Sequence, residues 1–285
     1  MSINAKTKTI CLLGHPVKHS FSPIMHNYLF EKYNQNNIYV CFDVEPKNLK
    51  EAMNGIKSLG IAGMNVTIPH KVEVMKELDY VDQNSKIIGA VNTIKNKGGI
   101  LEGYNTDGIG FVQSIINKDF SLDNKSIMIL GAGGACRSIS VELASNNVGS
   151  IEIRNRSIEK AKGIVDTVSK NFNTKISCTT EKIKQNDLDN IDIIINTTPI
   201  GMESEECPID EHLSLKKHVL VCDIVYKPHN TSFIKWAKGQ NLNVIYGIDM
   251  LINQGLEAFY IWTGIKPTSE DERKIKKLYE DYIKE

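Results

Sequence analysis

The stretch Ser126-Ile-Met-Ile-Leu130-Gly131-Ala132-Gly133-Gly134-Ala135-Cys136 is a short apolar run that breaks at once into glycines. A helix pattern follows, with Ile139 and Leu143 on one face. Strand, glycine turn and helix in that order aim backbone amides and the positive end of a helix dipole at one point, the arrangement that holds a pyrophosphate. The glycines alone carry little weight. Inside a unit of βαβ size they point to a bound dinucleotide. Cys136 occupies the third small position, where it still allows the helix to pack against the strand.

The next strand, Ser150–Ile153, selects the nucleotide. A site for NAD places a carboxylate about 20 residues beyond the glycines, where it accepts from the ribose 2′-hydroxyl. Here Asn155 stands in that region, inside Arg154-Asn155-Arg156-Ser157, and Lys160 follows one turn later. Arginines favour a 2′-phosphate through planar, charge-assisted hydrogen bonds. NADP is therefore expected over NAD, the bland reading being a solvated basic turn.

Outward from this unit the chain alternates strands and helices, which predicts an α/β protein with parallel sheets covered by helices. Helix Ala161–Val168 and strands Ile191–Ile195, His218–Ile224 and Leu242–Tyr246 continue it. Upstream, Thr9–Leu13, Ile38–Val44, Gly63–Ile68 and Ala90–Ile94 read as strands. Helical spacing between them marks a first helix (Ile24, Tyr28, Lys32), a second (Leu49, Met53, Ile56) and a third (Val72, Met75, Leu78). Two helices, about 248–262 and 269–284, close the chain. One domain ends near residue 106 and a second near 247; periodicity leaves open which of them the last helices join.

The 285 residues carry 34 basic and 34 acidic side chains, 41% hydrophobic and 24% charged residues. That neutrality argues against a nucleic-acid partner or an anionic membrane surface. No apolar stretch reaches the ~20 residues of a membrane span. Met1-Ser2-Ile3-Asn4-Ala5-Lys6 lacks a signal peptide's apolar region. The six scattered cysteines and seven histidines show no metal-ligand spacing, so no metal is expected. A soluble cytoplasmic protein acting on a small molecule is the expectation.

Polar clusters punctuate the first domain. In His19-Ser20-Phe-Ser22-Pro23, Ser22 reads as a helix N-cap before proline, and the two hydroxyls together also suit a small carboxylate. Alternation puts Asn65 and Thr67 on one face of a strand that runs into Lys71, expected in a helix's first turn. There the dipole disfavours a cation and would lower its pKa toward a range useful for proton transfer. Gly89-Ala-Val-Asn92-Thr93 and Asn105-Thr-Asp107-Gly108 complete the set, Asp107 standing before a helix as a cap or as a functional carboxylate. A lysine and an aspartate at one site share the proton work of carbonyl reduction.

In chain order, these segments resemble the shikimate dehydrogenase family over nearly the whole sequence. They are Ser20-Phe-Ser22-Pro23 with His26-Asn27, Asn65-Val-Thr67-Ile-Pro69-His-Lys71, Gly89–Thr93, Asn105–Gly108, Gly131–Ala135 and Asn155-Arg156-Ser157. Asn196-Thr197-Thr-Pro199-Ile-Gly-Met202, Asp223-Ile224-Val-Tyr226-Lys-Pro228 and Gly247-Ile-Asp-Met250-Leu-Ile-Asn-Gln254 follow. The resemblance implies an N-terminal substrate domain and a C-terminal Rossmann-like NADP-binding domain. The last helices return to the first, giving 1–106 plus 248–285 and 107–247. It implies NADPH-dependent reduction of 3-dehydroshikimate to shikimate, in aromatic amino-acid biosynthesis, by a monomer or homodimer.

By the same resemblance Lys71 and Asp107 are the catalytic pair and Ser20 and Ser22 hold the substrate carboxylate. Asn65, Thr67, Asn92, Asp107 and Gln254 bind ring hydroxyls, with Tyr226 nearby. The cofactor meets Gly131, Ala132, Gly133, Gly134, Ala135, Asn155, Arg156, Ser157, Lys160, Thr197, Ile224, Gly247 and Met250. Cys136, where the family has alanine or serine, makes sensitivity to thiol reagents an expectation. Two rival readings are an NAD-using quinate/shikimate dehydrogenase and a non-catalytic ligand sensor, which has no need of Lys71 and Asp107.

Overall fold

The computed structural model describes residues 3–284. Met1 and Ser2, which open the polar N-terminal segment, and Glu285 lie outside the described residues. The chain divides into two compact units, Met1–Thr106 with Ile252–Glu285, and Asp107–Leu251.

The first unit is built on β1 (Lys8–Gly14), α1 (Ser22–Lys32), β2 (Asn37–Asp43), α2 (Leu49–Leu59) and β3 (Gly63–Val66). It continues with β4 (Tyr80–Val81), α3 (Gln83–Ile88), β5 (Thr93–Lys97) and β6 (Ile100–Tyr104). The strands order as β2-β1-β3-β5-β6-β4. β1 runs parallel to β2 and β3 because α1 and α2 carry the chain back each time. β5, however, is antiparallel to both β3 and β6. For β5 and β6 the cause is local: Gly98 and Gly99 take φ of 64° and 97°, and the Gly99 amide donates to Asn96 Oδ1 at 2.7 Å. This closes a two-residue hairpin, too short for a crossover helix. Cys11, Met53, Ile56, Met64, Val91 and Ile94 form the centre of the core.

Val72, Met75 and Leu78 do not mark an α-helix. They fall on or beside a 3₁₀ stretch, Glu73–Glu77, and their spacing of three fits its three residues per turn as well as an α-helical face. The short or half-exposed β4, α3 and β6 carry too few apolar residues to stand out by periodicity.

The second unit comprises α4 (Asp107–Ile116), β7 (Ser126–Leu130), α5 (Gly134–Ser145), β8 (Ser150–Arg154), α6 (Ile158–Asn171) and β9 (Lys175–Thr179). β10 (Ile193–Asn196), β11 (Leu220–Asp223), α7 (Ser232–Gly239) and β12 (Asn243–Ile245) follow. Its sheet, β12-β11-β10-β7-β8-β9, is parallel throughout. The chain winds outward from β7 through β8 to β9, then resumes on the other side of β7 with β10. The carboxyl end of β7 is thus a topological switch point, where ligands bind in open α/β sheets.

α8 (Gly247–Thr263) begins in the second unit and ends in the first, and α9 (Ser269–Tyr282) belongs to the first. Trp262 Nε1 donates to the Ile94 carbonyl at 2.9 Å, which fixes the end of α8 to β5. Gly63 makes room, since a Cβ there would lie 2.6 Å from the Trp262 ring. α9 is tied to α1 by the buried Asp271, which accepts from Lys32 (2.7 Å), Tyr33 (2.7 Å) and its own cap residue Thr268. Among the described residues no helix is long and apolar enough to cross a membrane.

Burial alone would raise the Asp271 pKa, but Lys32, the Thr268 amide and the Tyr33 hydroxyl outweigh it and hold the group at about 2, below the ordinary 3.8. That drop corresponds to about 2 kcal/mol. Because the folded value is depressed, the contribution is complete above the ordinary value and is lost as pH falls through the folded one. Asp271→Asn should therefore destabilise the first unit by about 2 kcal/mol or more at neutral pH, with the gap from wild type closing in strong acid. Urea unfolding followed by Trp262 fluorescence in a Trp236→Phe background checks this; a pH-independent gap would contradict it.

Candidate active site

At the switch point the glycine loop is shaped by what it lacks. Gly131 has φ 103°, a conformation side chains rarely adopt, and a Cβ there would meet Thr197 Oγ1 at 2.8 Å. Thr197 closes the turn from β10 by donating through its hydroxyl to the Leu130 carbonyl at 2.7 Å. Gly133 and Gly134 are exposed, and a Cβ on either would meet no protein atom within 4 Å. Gly133 is the N-cap of α5, and no side chain caps the helix. Its first amides, with half-buried Ala132 and Ala135 beside them, are the donors a pyrophosphate requires. The loop fits a dinucleotide.

Cys136 corrects an expectation. Its thiol is buried in the core side of α5, and burial pushes its pKa up to about 11. Thiol reagents act on accessible thiolate, so the native protein should resist them at this position.

After β8 the basic turn divides into two parts. Arg154 is not available to a phosphate: it pairs with Glu152 and with Asp187 (3.2 Å) and donates to the Glu181 carbonyl at 3.3 Å. Arg156, Ser157 and Lys160 are exposed. Asn155 is held by its amide donating to the Ser157 carbonyl at 2.7 Å, and Ser157 begins α6 without capping it through its side chain. Arg156 and Lys160 are the cations that fit a 2′-phosphate.

The other side of the switch point is pinned by a buried acid. Asp223 accepts from Asn196 Nδ2 (3.0 Å), the Val225 amide (3.0 Å) and Thr231 (2.6 Å), and burial pushes its pKa upward. These bonds shape the segment after β11, where Ile224 is half-buried and Tyr226 exposed. Gly247 admits the start of α8 against this segment; a Cβ would lie 2.5 Å from the Ile224 carbonyl oxygen. Met250, one turn on, is half-buried.

In the first unit the polar residues form a buried lattice. Asn65 Nδ2 donates to the Asn92 carbonyl (3.2 Å) and Thr93 Oγ1 (3.1 Å), while its Oδ1 accepts from Tyr39 (2.7 Å). Asn92 Oδ1 accepts from the Thr106 amide at 2.8 Å, and its Nδ2 faces Thr106 Oγ1 (3.1 Å) and Gln254 Oε1 (3.5 Å). The structure thus brings Asn65, Asn92 and Gln254 together. Tyr39 and Thr106 join them although neither was anticipated. Thr106 lies inside a quoted motif, whereas Tyr39 sits in β2 opposite Ile10, a pairing that periodicity does not disclose.

Thr67 lies just past β3, half-buried, in space left by Gly14, where a Cβ would lie 2.3 Å from its methyl group. Lys71 is half-buried in a turn, its carbonyl accepting the Val91 amide at 2.8 Å. It is not in the first turn of a helix, so the dipole argument for it lapses. Asp107 is the first residue of α4, where a carboxylate is favoured by the helix N-terminus. Ser22 is not the cap of α1 either. The cap position is Phe21, and Ser20 Oγ accepts the Ser22 amide at 3.2 Å. Both hydroxyls remain half-buried beside the start of the helix.

Family models match three segments in order: the shikimate dehydrogenase substrate binding domain over residues 12–94, shikimate/quinate 5-dehydrogenase over 112–225, and the shikimate 5′-dehydrogenase C-terminal domain over 247–270. A protein of Methanocaldococcus jannaschii named shikimate dehydrogenase (NADP+) is 48% identical over 274 residues, spanning 94% of this chain and 95% of the relative. The chain belongs to the shikimate dehydrogenase family. A crystal structure of a shikimate dehydrogenase in complex with NADP+ matches with a TM-score of 0.88 at 46% identity, over 96% of each chain. Shikimate 5-dehydrogenase from Listeria monocytogenes, in complex with shikimate and NAD, matches at 0.90 with 30% identity over 98% of each. Members of the family join an N-terminal substrate domain to a C-terminal NADP-binding domain, and this chain has that two-domain α/β fold.

The two loop glycines should fail differently. Gly131→Ala should lower thermal stability by about 1–3 kcal/mol equivalent, the cost of a strained left-handed residue. Gly133→Ala should melt like wild type yet bind NADP+ at least about tenfold more weakly, because its methyl group enters the phosphate's space. Thermal melts with NADP+ titration check both. Unaltered affinity in Gly133→Ala would refute the loop's assignment.

Proposed function

We propose that the protein is an NADP-dependent shikimate dehydrogenase that reversibly reduces 3-dehydroshikimate to shikimate in aromatic amino-acid biosynthesis. The observation that carries this reading is the 48% identity, across 94% of the chain, to an enzyme of that name. In this reading residues 1–106 and 248–285 bind the substrate and 107–247 bind the cofactor. A cytoplasmic location accords with six free cysteines, which a reducing compartment preserves.

NADPH, when bound, supplies the hydride. Gly131–Ala135 present amides to its pyrophosphate; Asn155, Arg156, Ser157 and Lys160 take the 2′-phosphate end. Thr197, Ile224, Gly247 and Met250 flank it. Ser20 and Ser22 hold the substrate carboxylate, and Thr67, Asn92, Gln254 and Tyr226 serve the ring hydroxyls. Asn65 supports them. Negative charge develops on the carbonyl oxygen as it is reduced, and the Lys71 ammonium stabilises that charge and delivers the proton. Asp107 is the carboxylate that shares the proton work of the reduction. A site committed to hydroxyl partners rejects analogues that lack them, because its own polar groups are then left unpaired.

Lys71→Ala should lower kcat for 3-dehydroshikimate reduction by about 10²–10⁴ while changing KM much less. Steady-state loss of NADPH absorbance measures it, and near-normal turnover would remove Lys71 from the chemistry. Arg156→Ala should raise KM for NADP+ about 10–100-fold and leave the weaker use of NAD+ unaltered. Arg154→Met, by contrast, should cost stability without changing the NADP+/NAD+ ratio. The reverse pattern would reassign the 2′-phosphate contact.

A further inference from the structure

The buried lattice of the first unit has a direction, and Tyr39 stands at its head. Two backbone groups that cannot exchange roles set that direction. The Asn92 carbonyl only accepts, so the Asn65 group facing it at 3.2 Å is the NH₂. Asn65 Oδ1 then faces Tyr39, whose hydroxyl must donate across the 2.7 Å contact. The Thr106 amide only donates, so the Asn92 group that it meets at 2.8 Å is Oδ1. Thr93 Oγ1 accepts from Asn65 Nδ2 at 3.1 Å and donates its own hydroxyl to Asn92 Oδ1 at 3.0 Å. Asn92 therefore presents its NH₂ toward Gln254 Oε1.

Each link leaves the next amide one permitted orientation. The chain begins at a phenol that nothing in the expected chemistry uses. Tyr39 is 2% exposed, and its ring is stacked 4.5 Å from His26 and set 6.1 Å from Trp262. Burial holds His26 neutral, its pKa pushed down to about 3, and keeps the phenol protonated, so the donor is present across the physiological range.

We propose that Tyr39 is a positioning residue for the acid substrate. Its hydroxyl anchors Asn65, and through Asn65 and Thr93 it holds in place the Asn92 and Gln254 side chains, whose orientation the Thr106 amide sets, so that they meet the ring hydroxyls. Both amide hydrogens of Asn65 are spent inside the lattice, so Asn65 acts as a link in the chain, which departs from its expected role as a donor to the substrate. The proposal rests on the shikimate reading above.

The test is a double-mutant cycle on the full-length protein, using shikimate and NADP+. Tyr39→Phe keeps the stacked ring and removes only the donor. It should raise KM for shikimate about tenfold, the scale of one misdirected hydrogen bond, with kcat and KM for NADP+ within about twofold of wild type. Asn65→Ala, the next link, should raise the same constant by a similar factor and reads the relay even if the first variant folds poorly. In the double variant the second change should add less than about twofold. A lowered melting temperature with unchanged KM for shikimate, or additive effects, would overturn the proposal. Absence of shikimate oxidation by the wild-type protein would overturn the functional reading itself, and is seen before any variant is made.

Discussion

The Thr106 amide donating to Asn92 Oδ1 at 2.8 Å is the bond on which the first unit's polar interior turns. Both residues are buried, and a backbone N–H deprived of its acceptor there costs about 1–3 kcal/mol. Asn92 immediately precedes β5 and Thr106 follows β6, so the bond joins the two strands at the end where the motif residues gather. It also settles the orientation of an amide whose two ends have nearly the same shape. Once Asn92 is fixed, its neighbours Thr93, Asn65 and Gln254 each have one consistent set of donors and acceptors. A lattice of this kind costs stability when any member is missing. It offers a polyhydroxylated ligand groups whose roles are already set.

The second unit prepares its site by the opposite means. Where the first fills space with interlocked amides, the second empties it. Gly131 and Gly247 stand where a methyl group would meet Thr197 or the Ile224 carbonyl, and Gly133 and Gly134 leave helix amides uncovered. The buried Asp223, holding Asn196, Val225 and Thr231, supplies the rigidity that glycines cannot. A ring of hydroxyls needs several placed partners, whereas a pyrophosphate needs unobstructed N–H groups and positive potential.

Much of this was legible in the sequence, and the exceptions share a cause. The loop Gly131–Cys136 could be read because strand, turn and helix signals lie within a dozen residues. Sequence alone counts Arg154 with the basic turn that favours a 2′-phosphate, because one of its partners, Asp187, is 33 positions away and reaches it only through the fold. Lys71 was placed on a helix because Val72, Met75 and Leu78 repeat every third residue, a period that a 3₁₀ turn shares. The Gly98-Gly99 hairpin was missed, and with it the antiparallel part of the first sheet. Tyr39 looks like one more apolar residue of a strand until β2 is paired with β1. The residue roles came from ordered motifs shared with a family, since spacing alone left Ser22 and Asp107 open between capping and chemistry.

The central claim is that these amides and hydroxyls, with Lys71 and Asp107, receive one cyclic acid. A crystal structure of the protein with shikimate and NADP+ bound measures this most directly. The account predicts the carboxylate on Ser20 and Ser22, and ring hydroxyls on Lys71, Asp107, Asn92 and Gln254, with Gln254 Oε1 still turned toward Thr106. Shikimate bound away from Lys71 and Asn92, or an Asn92 side chain turned over to meet it, would contradict the account.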